Sequence, residues 1–106
     1  MTRISDLITD ELENPLLSTK LVCRELELSR STLFAILADA NMMFVSHIRE
    51  LRFQRCLMQI RDPRSADIAI GEIARRAGFA SQESFTRAFK RRYGSPPGSY
   101  RGKEDS

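Results

Sequence analysis

The chain has 106 residues, a length that suits one domain or two very small ones that depend on each other for stability. Hydrophobic residues make up 42% and charged residues 29%, as in ordinary globular proteins, and no apolar run reaches the roughly 18 to 20 residues that a membrane span requires. The net charge of +3 is unevenly spread, with −3 over residues 1–41 and +6 over residues 42–106, which indicates either a solvated basic surface or a polyanion-binding half.

Helical periodicity, rather than the alternation of a strand, runs through the whole chain. The first part predicts three helices, of which the first ends at Asn14-Pro15 and the other two have Ser18 and Ser29 as N-caps. The turn before Ser29 is so short that the second and third helices must cross at a sharp angle. The residues predicted to face inward are Ile4, Leu7, Ile8, Leu12, Leu21, Val22, Leu26, Leu33, Ile36 and Leu37.

A longer helix is predicted over residues 45–61, ending before Asp62-Pro63. Ile48, Leu51, Leu57 and Ile60 form one apolar stripe on it, and Phe53 and Cys56 lie beside that stripe. An apolar surface wider than one stripe is typical of a helix that touches core on two sides. We therefore expect this helix to join two halves of the molecule.

Two more helices and a short turn are predicted in the C-terminal part. The fifth helix covers residues 70–77 and stops at Gly78, while the sixth covers residues 82–93 between a Ser81 cap and Gly94. A final short turn follows, with Ser95 as its cap and Pro96 as its first residue.

The chain contains an internal repeat. A shift of 52 residues places five residues on counterparts of similar character: Leu21 on Ile73, Val22 on Ala74, Ser29 on Ser81, Leu33 on Phe85 and Leu37 on Phe89. Each half then reads as helix, tight turn and capped helix, the layout of a helix-turn-helix. In that motif the second helix presents its exposed N-terminal side chains to DNA base edges.

The second of these capped helices has the chemistry for that task. Phe85 and Phe89 face the core and leave the first turns to Gln82, Glu83, Thr86 and Arg87. Arginine, glutamine and glutamate can pair with guanine, adenine and cytosine edges. The cations that follow, at residues 90–92, suit contacts to phosphate, although favourable interaction with the helix dipole and solubility would also explain them.

Several short segments at fixed spacing carry a family resemblance, and a dozen of their positions agree with one signature. The segments are IGEIA (70–74), AGF (77–79), SQ (81–82), Phe85, RAFK (87–90), YG (93–94), SP (95–96) and YR (100–101). Together they resemble the C-terminal DNA-binding domain of the AraC/XylS family of bacterial transcription regulators. Upstream, LSRSTL (28–33) looks like the first recognition helix and IRELRF (48–53) like the linker helix, so the resemblance covers about residues 3–101.

The resemblance implies an all-α fold of seven helices, in two homeodomain-like helix-turn-helix subdomains joined by a long linker helix. The subdomains would cover residues 3–43 and 63–101, the linker residues 44–62, and a tail residues 102–106. Both recognition helices would enter successive major grooves on one face of double-stranded DNA, about 34 Å apart.

Carried over position by position, the resemblance also implies the contact residues. The base-facing residues would be Arg30, Ser31, Phe34 and Ala35 in the first unit, and Gln82, Glu83, Thr86 and Arg87 in the second. Phosphate contacts would come from Arg91, Arg64 and helix N-terminal amides.

The first recognition helix departs from the family pattern. Position 35 usually carries arginine or another long polar side chain, and here it is alanine. The window 30–40 has no net charge, whereas the window 82–92 has +3. The turn Asn41-Met42-Met43 stands where a glycine is usual, with a register defined to within one residue, and asparagine tolerates the left-handed conformation. We expect the second unit to supply most of the affinity. The first would read DNA shape, or a thymine methyl through Phe34 and Ala35, or would instead bind RNA polymerase.

The other residue types argue against catalysis and metal binding. Cys23 and Cys56 form no CxxC pair, and a single histidine, His47, leaves a zinc site without ligands. One histidine without a glycine-rich elbow also gives no catalytic triad, so no enzyme, metal or cofactor is predicted. The remaining alternative is a protein-interaction module, derived from a helix-turn-helix, with weak or lost DNA binding.

The family also sets expectations for the surroundings of the domain. Its members often carry an N-terminal effector-binding or dimerising domain, so we expect this chain to be a fragment of a longer protein, with a small stand-alone regulator as the alternative. The fragment should be monomeric, and oligomers would form through the missing domain. The polar, acidic N-terminus lacks a secretory pattern. The resemblance to bacterial transcription regulators implies a location in the bacterial cytoplasm, at the nucleoid, and no membrane partner.

Overall fold

The computed structural model describes residues 2–101, so Met1 and the predicted tail at 102–106 lie outside the described residues. Helices are the only regular structure in that range, which confirms the all-α prediction. There are six α-helices and two 3₁₀ turns, and the expected seventh helix is the last of these turns. The elements are α1 (Thr2–Glu11), α2 (Thr19–Leu26), α3 (Arg30–Asp39), α4 (Phe44–Arg61), a turn at Pro63–Ser65, α5 (Ile70–Arg76), α6 (Gln82–Tyr93) and a turn at Pro97–Tyr100.

The chain folds as two compact units that divide between Leu51 and Arg52, inside α4. Each unit has its own apolar core. Among residues 2–101 no single helix has the length and apolar character to cross a membrane, although α3 and α4, bent by 64° where they meet, satisfy those criteria jointly by length and composition.

The core of the first unit is aliphatic. The predicted N-caps are both present, since the Ser18 hydroxyl accepts from the Leu21 amide at 3.2 Å and the Ser29 hydroxyl from the Thr32 amide at 3.1 Å. These bonds satisfy amides that a helix start otherwise leaves without a partner. The buried residues are Ile4, Ile8, Leu12, Leu17, Val22, Leu33, Leu37, Phe44 and Ile48.

The core of the second unit is aromatic and is centred on Phe53. Its ring centroid lies 5.3 to 6.2 Å from those of Phe79, Phe85, Phe89 and Tyr93, the separation at which tilted and edge-on aromatic pairs attract. Cys56, Ile60, Ile73, Ala74 and Ala77 complete this core. The aromatic cluster packs α6 against the second half of α4, and α5 joins this core through Ile73 and Ala74.

The C-terminal turn is tied to the second unit by side-chain bonds. The Tyr100 hydroxyl donates to the Tyr93 carbonyl at 3.1 Å, and the Arg101 guanidinium donates to the carbonyls of Ser65, at 2.9 Å, and Ile68. The predicted start of this turn is wrong by one residue: it begins at Pro97, and Pro96 precedes it without a side-chain cap. Ser95 therefore caps nothing, because the extended Pro96 separates it from the turn.

Helix α4 supplies side chains to both cores, as its wide apolar surface predicts. Phe44 and Ile48 are buried in the first unit, whereas Phe53, Cys56 and Ile60 are buried in the second. Phe53 and Cys56, beside the predicted stripe, are more deeply buried than Leu51 and Leu57, which are partly buried. The buried side of the helix changes along its length, so a single stripe does not describe it.

Candidate nucleic-acid interface

In the first unit, α2 and α3 are joined by one residue in the left-handed conformation. Glu27 has φ 54°, and the next amide, that of Leu28, donates to the Cys23 carbonyl at 2.9 Å. This bond closes the end of α2 in the Schellman arrangement. Ser29, two residues after Glu27, caps α3, so the second helix of the pair starts at Arg30, three residues after the left-handed residue.

The second unit repeats this arrangement with a glycine. Gly78 has φ 104°, its amide donates to the Arg75 carbonyl at 3.1 Å, and the Phe79 amide donates to the Ala74 carbonyl at 3.0 Å. Ser81 then caps α6 by accepting from the Ser84 amide at 3.2 Å. The predicted stop at Gly78 and cap at Ser81 are both confirmed.

The turn hydrogen bonds correct the predicted register of the repeat. The left-handed residues Glu27 and Gly78 are 51 residues apart, whereas the caps Ser29 and Ser81 are 52 apart. A shift of 52 therefore matches α3 to α6 but misplaces α2 on α5 by one residue. The true counterpart of Val22 is Ile73, and both are fully buried. The turn of the second unit is one residue longer, which an ungapped comparison of the sequence could not show.

On α6 the predicted base-facing residues form one exposed stripe above the core. Gln82, Glu83 and Arg87 are exposed and Thr86 is half-buried, while the fully buried Phe85 and Phe89 anchor the opposite side. Residues four apart on a helix share a face, so the stripe continues through Lys90 and Arg91, which are also exposed. This surface carries three cations and one carboxylate along one side of one helix.

On α3 the corresponding stripe is nearly uncharged. Arg30, Ser31, Phe34 and Ala35 are all exposed, above the buried Leu33 and Leu37. Phe34 exposes 42% of its surface, and the Arg30 guanidinium carbon lies 5.4 Å from the centroid of its ring. The two stripes thus occupy equivalent positions on their helices, but one is cationic and the other is apolar at its centre.

The two arginines predicted to contact phosphate differ in their surroundings. Arg91 is exposed in the last turn of α6, where a cation also complements the helix dipole. Arg64 is exposed but already bound, since its Nε and Nη2 donate to the Asp62 carboxylate at 3.2 and 3.0 Å. These bonds from Arg64 lower the pKa of Asp62 and raise that of Arg64. A phosphate would have to compete with Asp62 for this side chain.

The sequence analysis did not predict the ion pairs that Glu72 forms on α5 with Arg75 and Arg76. Glu72 accepts from Arg75 Nε at 2.9 Å and from Arg76 Nε at 3.0 Å. The hydrogen bond from Arg75 is the main cause that lowers the pKa of the Glu72 carboxyl to about 2. The spacing of three and four residues between opposite charges on a predicted helix was the signal that could have revealed it.

The Gln82 side chain lies closer to α5 than its exposed position suggests. A Cβ placed on Gly71 would come within 2.5 Å of the Gln82 Oε1 atom. The first side chain of the α6 stripe therefore folds back over the one residue of α5 that has no side chain. Within residues 2–101, no group of three or more His, Cys, Asp or Glu side chains is arranged to hold a metal ion.

Comparison with protein families gives one matching family model, described as a helix-turn-helix domain, over residues 22–103. Among curated proteins, the Msm operon regulatory protein of Streptococcus mutans is 30% identical over 81 residues. That match covers 76% of this chain and 28% of the regulator, so the chain spans little more than a quarter of that protein's length.

Solved structures share the fold. The C-terminal domain of AraT, a response regulator of Geobacillus stearothermophilus, is 25% identical with a TM-score of 0.84, over 99% of this chain and 86% of that one. A DNA-binding transcriptional dual regulator of Escherichia coli K-12 is 25% identical with a TM-score of 0.77, over 93% and 91%. The C-terminal domain of the response regulator yesN from Fusobacterium nucleatum, at 20% identity and a TM-score of 0.83 over 94% and 95%, supports the fold alone.

Proposed function

Because the chain belongs to the AraC/XylS family of helix-turn-helix transcription regulators and forms a DNA-binding domain of that family, we propose that both of its units read one specific double-stranded DNA site. In this proposal α3 and α6 are recognition helices that enter successive major grooves, about 34 Å apart. The supporting observation is that each unit repeats one arrangement: a left-handed turn, a serine cap, and an exposed N-terminal stripe above buried residues.

The size and symmetry of the binding site test this proposal. Sites selected from random DNA by the full chain should be asymmetric and nearly two helical turns long, because a monomer would place two different helices on them. Footprinting of a selected site should show protection in two grooves on one face. Protection of a single groove, or selection of a palindrome, would contradict the use of both units by one chain.

We further propose that the second unit supplies most of the affinity. Its stripe carries Arg87, Lys90 and Arg91, whereas the matching positions of α3 hold Ala35, Ala38 and Asp39. Cations near phosphates bind by releasing counterions, a contribution that α3 lacks at these three positions. Arg91 would contact phosphate directly, and Arg64 would do so after exchanging Asp62 for a phosphate.

Salt dependence separates this proposal from a protein-interaction module that has lost DNA binding. For a DNA reader, the logarithm of the binding constant falls linearly with the logarithm of salt concentration, with a slope of about −0.9 for each phosphate contacted. We expect a slope that corresponds to several contacts, measured by fluorescence anisotropy on a selected site. A flat dependence, or the failure to select any site, would favour the interaction module.

The same proposal places the protein at the bacterial nucleoid, in the cytoplasm. The Streptococcus mutans and Escherichia coli proteins that this chain resembles are bacterial regulators, and this chain corresponds to a part of the Streptococcus mutans protein. Effector binding and oligomerisation would then belong to other parts of a longer regulator, and the isolated domain would bind as a monomer. Contact between the first unit and RNA polymerase remains the rival explanation of its uncharged α3.

A further inference from the structure

One exposed aromatic side chain lies at the centre of a reading surface. Large hydrophobic residues are exposed at five described positions: Leu16, Phe34, Met43, Val45 and Met58. Of these, only Phe34 lies on the stripe of a recognition helix, at the position that Thr86 occupies in α6. An apolar ring at a base-facing position is suited to contact an apolar group on the DNA.

The neighbours of Phe34 leave room for a small group. Ser31, Ala35 and Ala38 share its exposed side of α3, and none of them has a side chain longer than two heavy atoms. Arg30, one turn earlier, holds its guanidinium carbon 5.4 Å from the ring centroid, the distance of a cation–π contact. The ring thus has a cation–π contact with Arg30 and lies on a side of α3 whose other members, Ser31, Ala35 and Ala38, are small.

We propose that Phe34 and Ala35 bind the 5-methyl group of a thymine in the major groove of the first half-site. That methyl is the apolar group by which an A·T pair differs from the other pairs in the major groove, and small apolar side chains and phenylalanine are suited to contact it. This inference rests on the proposed function, because it assumes that α3 enters the groove. It explains how a helix without a long polar side chain at position 35 still reads sequence.

Replacing thymine by deoxyuridine tests the inference directly, since it removes one methyl group and leaves the hydrogen-bonding edge unchanged. In a selected site, each thymine of the first half-site is replaced singly, and binding by the full chain is measured at fixed salt. One position should weaken binding about three- to five-fold, the effect of one buried methyl group. The Phe34→Ala variant should lose most of the difference between the thymine and uracil forms, because only the Ala35 contact remains, and Phe34→Leu should keep more of it.

The matched control is Thr86→Ala, at the equivalent position of α6, which should leave the thymine-to-uracil ratio in the first half-site unchanged. Phe34 is exposed, so its variants should keep the helical circular dichroism of the parent chain. The inference is overturned if no thymine of the first half-site responds, or if Phe34→Ala keeps the full ratio. It is also overturned if Phe34→Ala binds every DNA as the parent does, which would indicate a protein partner for α3.

These failures differ from a failure of the proposed function. If sites are selected and binding is steeply salt-dependent but insensitive to the methyl groups, DNA reading stands and the thymine contact is wrong. If no site is selected, or binding is independent of salt, both proposals are wrong.

Discussion

At the residue scale, Glu27 adopts a backbone conformation that does not suit its side chain. Among residues 2–101, Glu27 and Asn41 are the two non-glycine residues with positive φ, at 54° and 53°. The left-handed region costs an L-residue about 1–2 kcal/mol, and asparagine tolerates it better than glutamate. The equivalent position in the second unit is Gly78, for which this strain does not exist.

Replacing Glu27 by glycine should therefore stabilise the protein. We expect Glu27→Gly to raise the free energy of unfolding by about 0.5–1 kcal/mol, less than the full strain because glycine also gains freedom in the unfolded chain. Glu25→Gly is the matched control, since it removes the same charge from a helical position of α2 and should cost about 1 kcal/mol. Urea unfolding measures both, and equal losses in the two variants would refute strain at Glu27.

Gly71 should set the conformation of Gln82. We expect Gly71→Ala to fold normally, because its new Cβ meets only the end of a flexible side chain. The displaced amide should change the base preference at one position by about 1–3 kcal/mol, the range for one base contact. The change should vanish in a Gln82→Ala background. Gly98→Ala, where a Cβ meets nothing within 4 Å, should alter neither stability nor preference.

At the scale of the elements, α3 and α6 share a position in their units but differ in charge. We expect Arg87→Ala to abolish detectable specific binding, whereas Arg30→Ala should cost about 1–3 kcal/mol or less. Arg24→Ala, which removes an exposed cation of α2 paired with Glu25, serves as the control for general loss of charge. Equal effects of Arg87→Ala and Arg30→Ala, measured by anisotropy, would show that the two helices contribute alike.

Most element boundaries could be predicted, because local residues determine them. Ser18, Ser29 and Ser81 cap helices, and Gly78, Gly94 and Asn41 adopt left-handed conformations after helices, as their types predict. The left-handed Glu27 could not be predicted, since its conformation is imposed by the packing of α2 and α3 rather than by its own preference. The extra turn residue of the second unit and the Gln82 contact with Gly71 also depend on tertiary structure.

For the candidate site, the sequence predicts which side chains are exposed better than it predicts which charged side chains are already paired. Helical periodicity separates exposed from buried residues, and the structure exposes Arg30, Phe34 and Arg87 while it buries Phe85. The state of a charged side chain is less predictable. Arg64 is engaged by Asp62, because the capping carboxylate of the turn at Pro63–Ser65 also reaches the guanidinium. The roles of these residues on DNA stay predictions.

At the scale of the whole molecule, each unit contains one cysteine. Cys23 is half-buried on α2, whereas Cys56 is fully buried on α4 and donates to the Ile73 carbonyl at 3.9 Å. Burial raises the pKa of the Cys56 thiol from its ordinary 9.0 to about 12. Its contribution to stability is therefore complete below pH 9 and is lost as the pH rises from about 9 towards 12, because the unfolded chain ionises first.

The two thiols should report separately on the two units. At pH 8 a thiol reagent should label Cys23 first, and it should label Cys56 only when the second unit opens. Cys23→Ser and Cys56→Ser variants identify each rate, and the unfolded chain in urea should label at one common rate. Rapid labelling of Cys56 in the native protein would contradict its burial.

The unequal connectors between the paired helices also limit how this domain can be redesigned. The second unit has one residue more between Gly78 and its cap than the first has after Glu27, so no single offset matches both the connectors and the helices that follow them. Copying the α6 side chains onto α3 at a constant offset would leave behind the connector that joins α6 to its partner helix. A working graft has to carry its own connector, and new target specificities are best built by exchanging whole helix pairs.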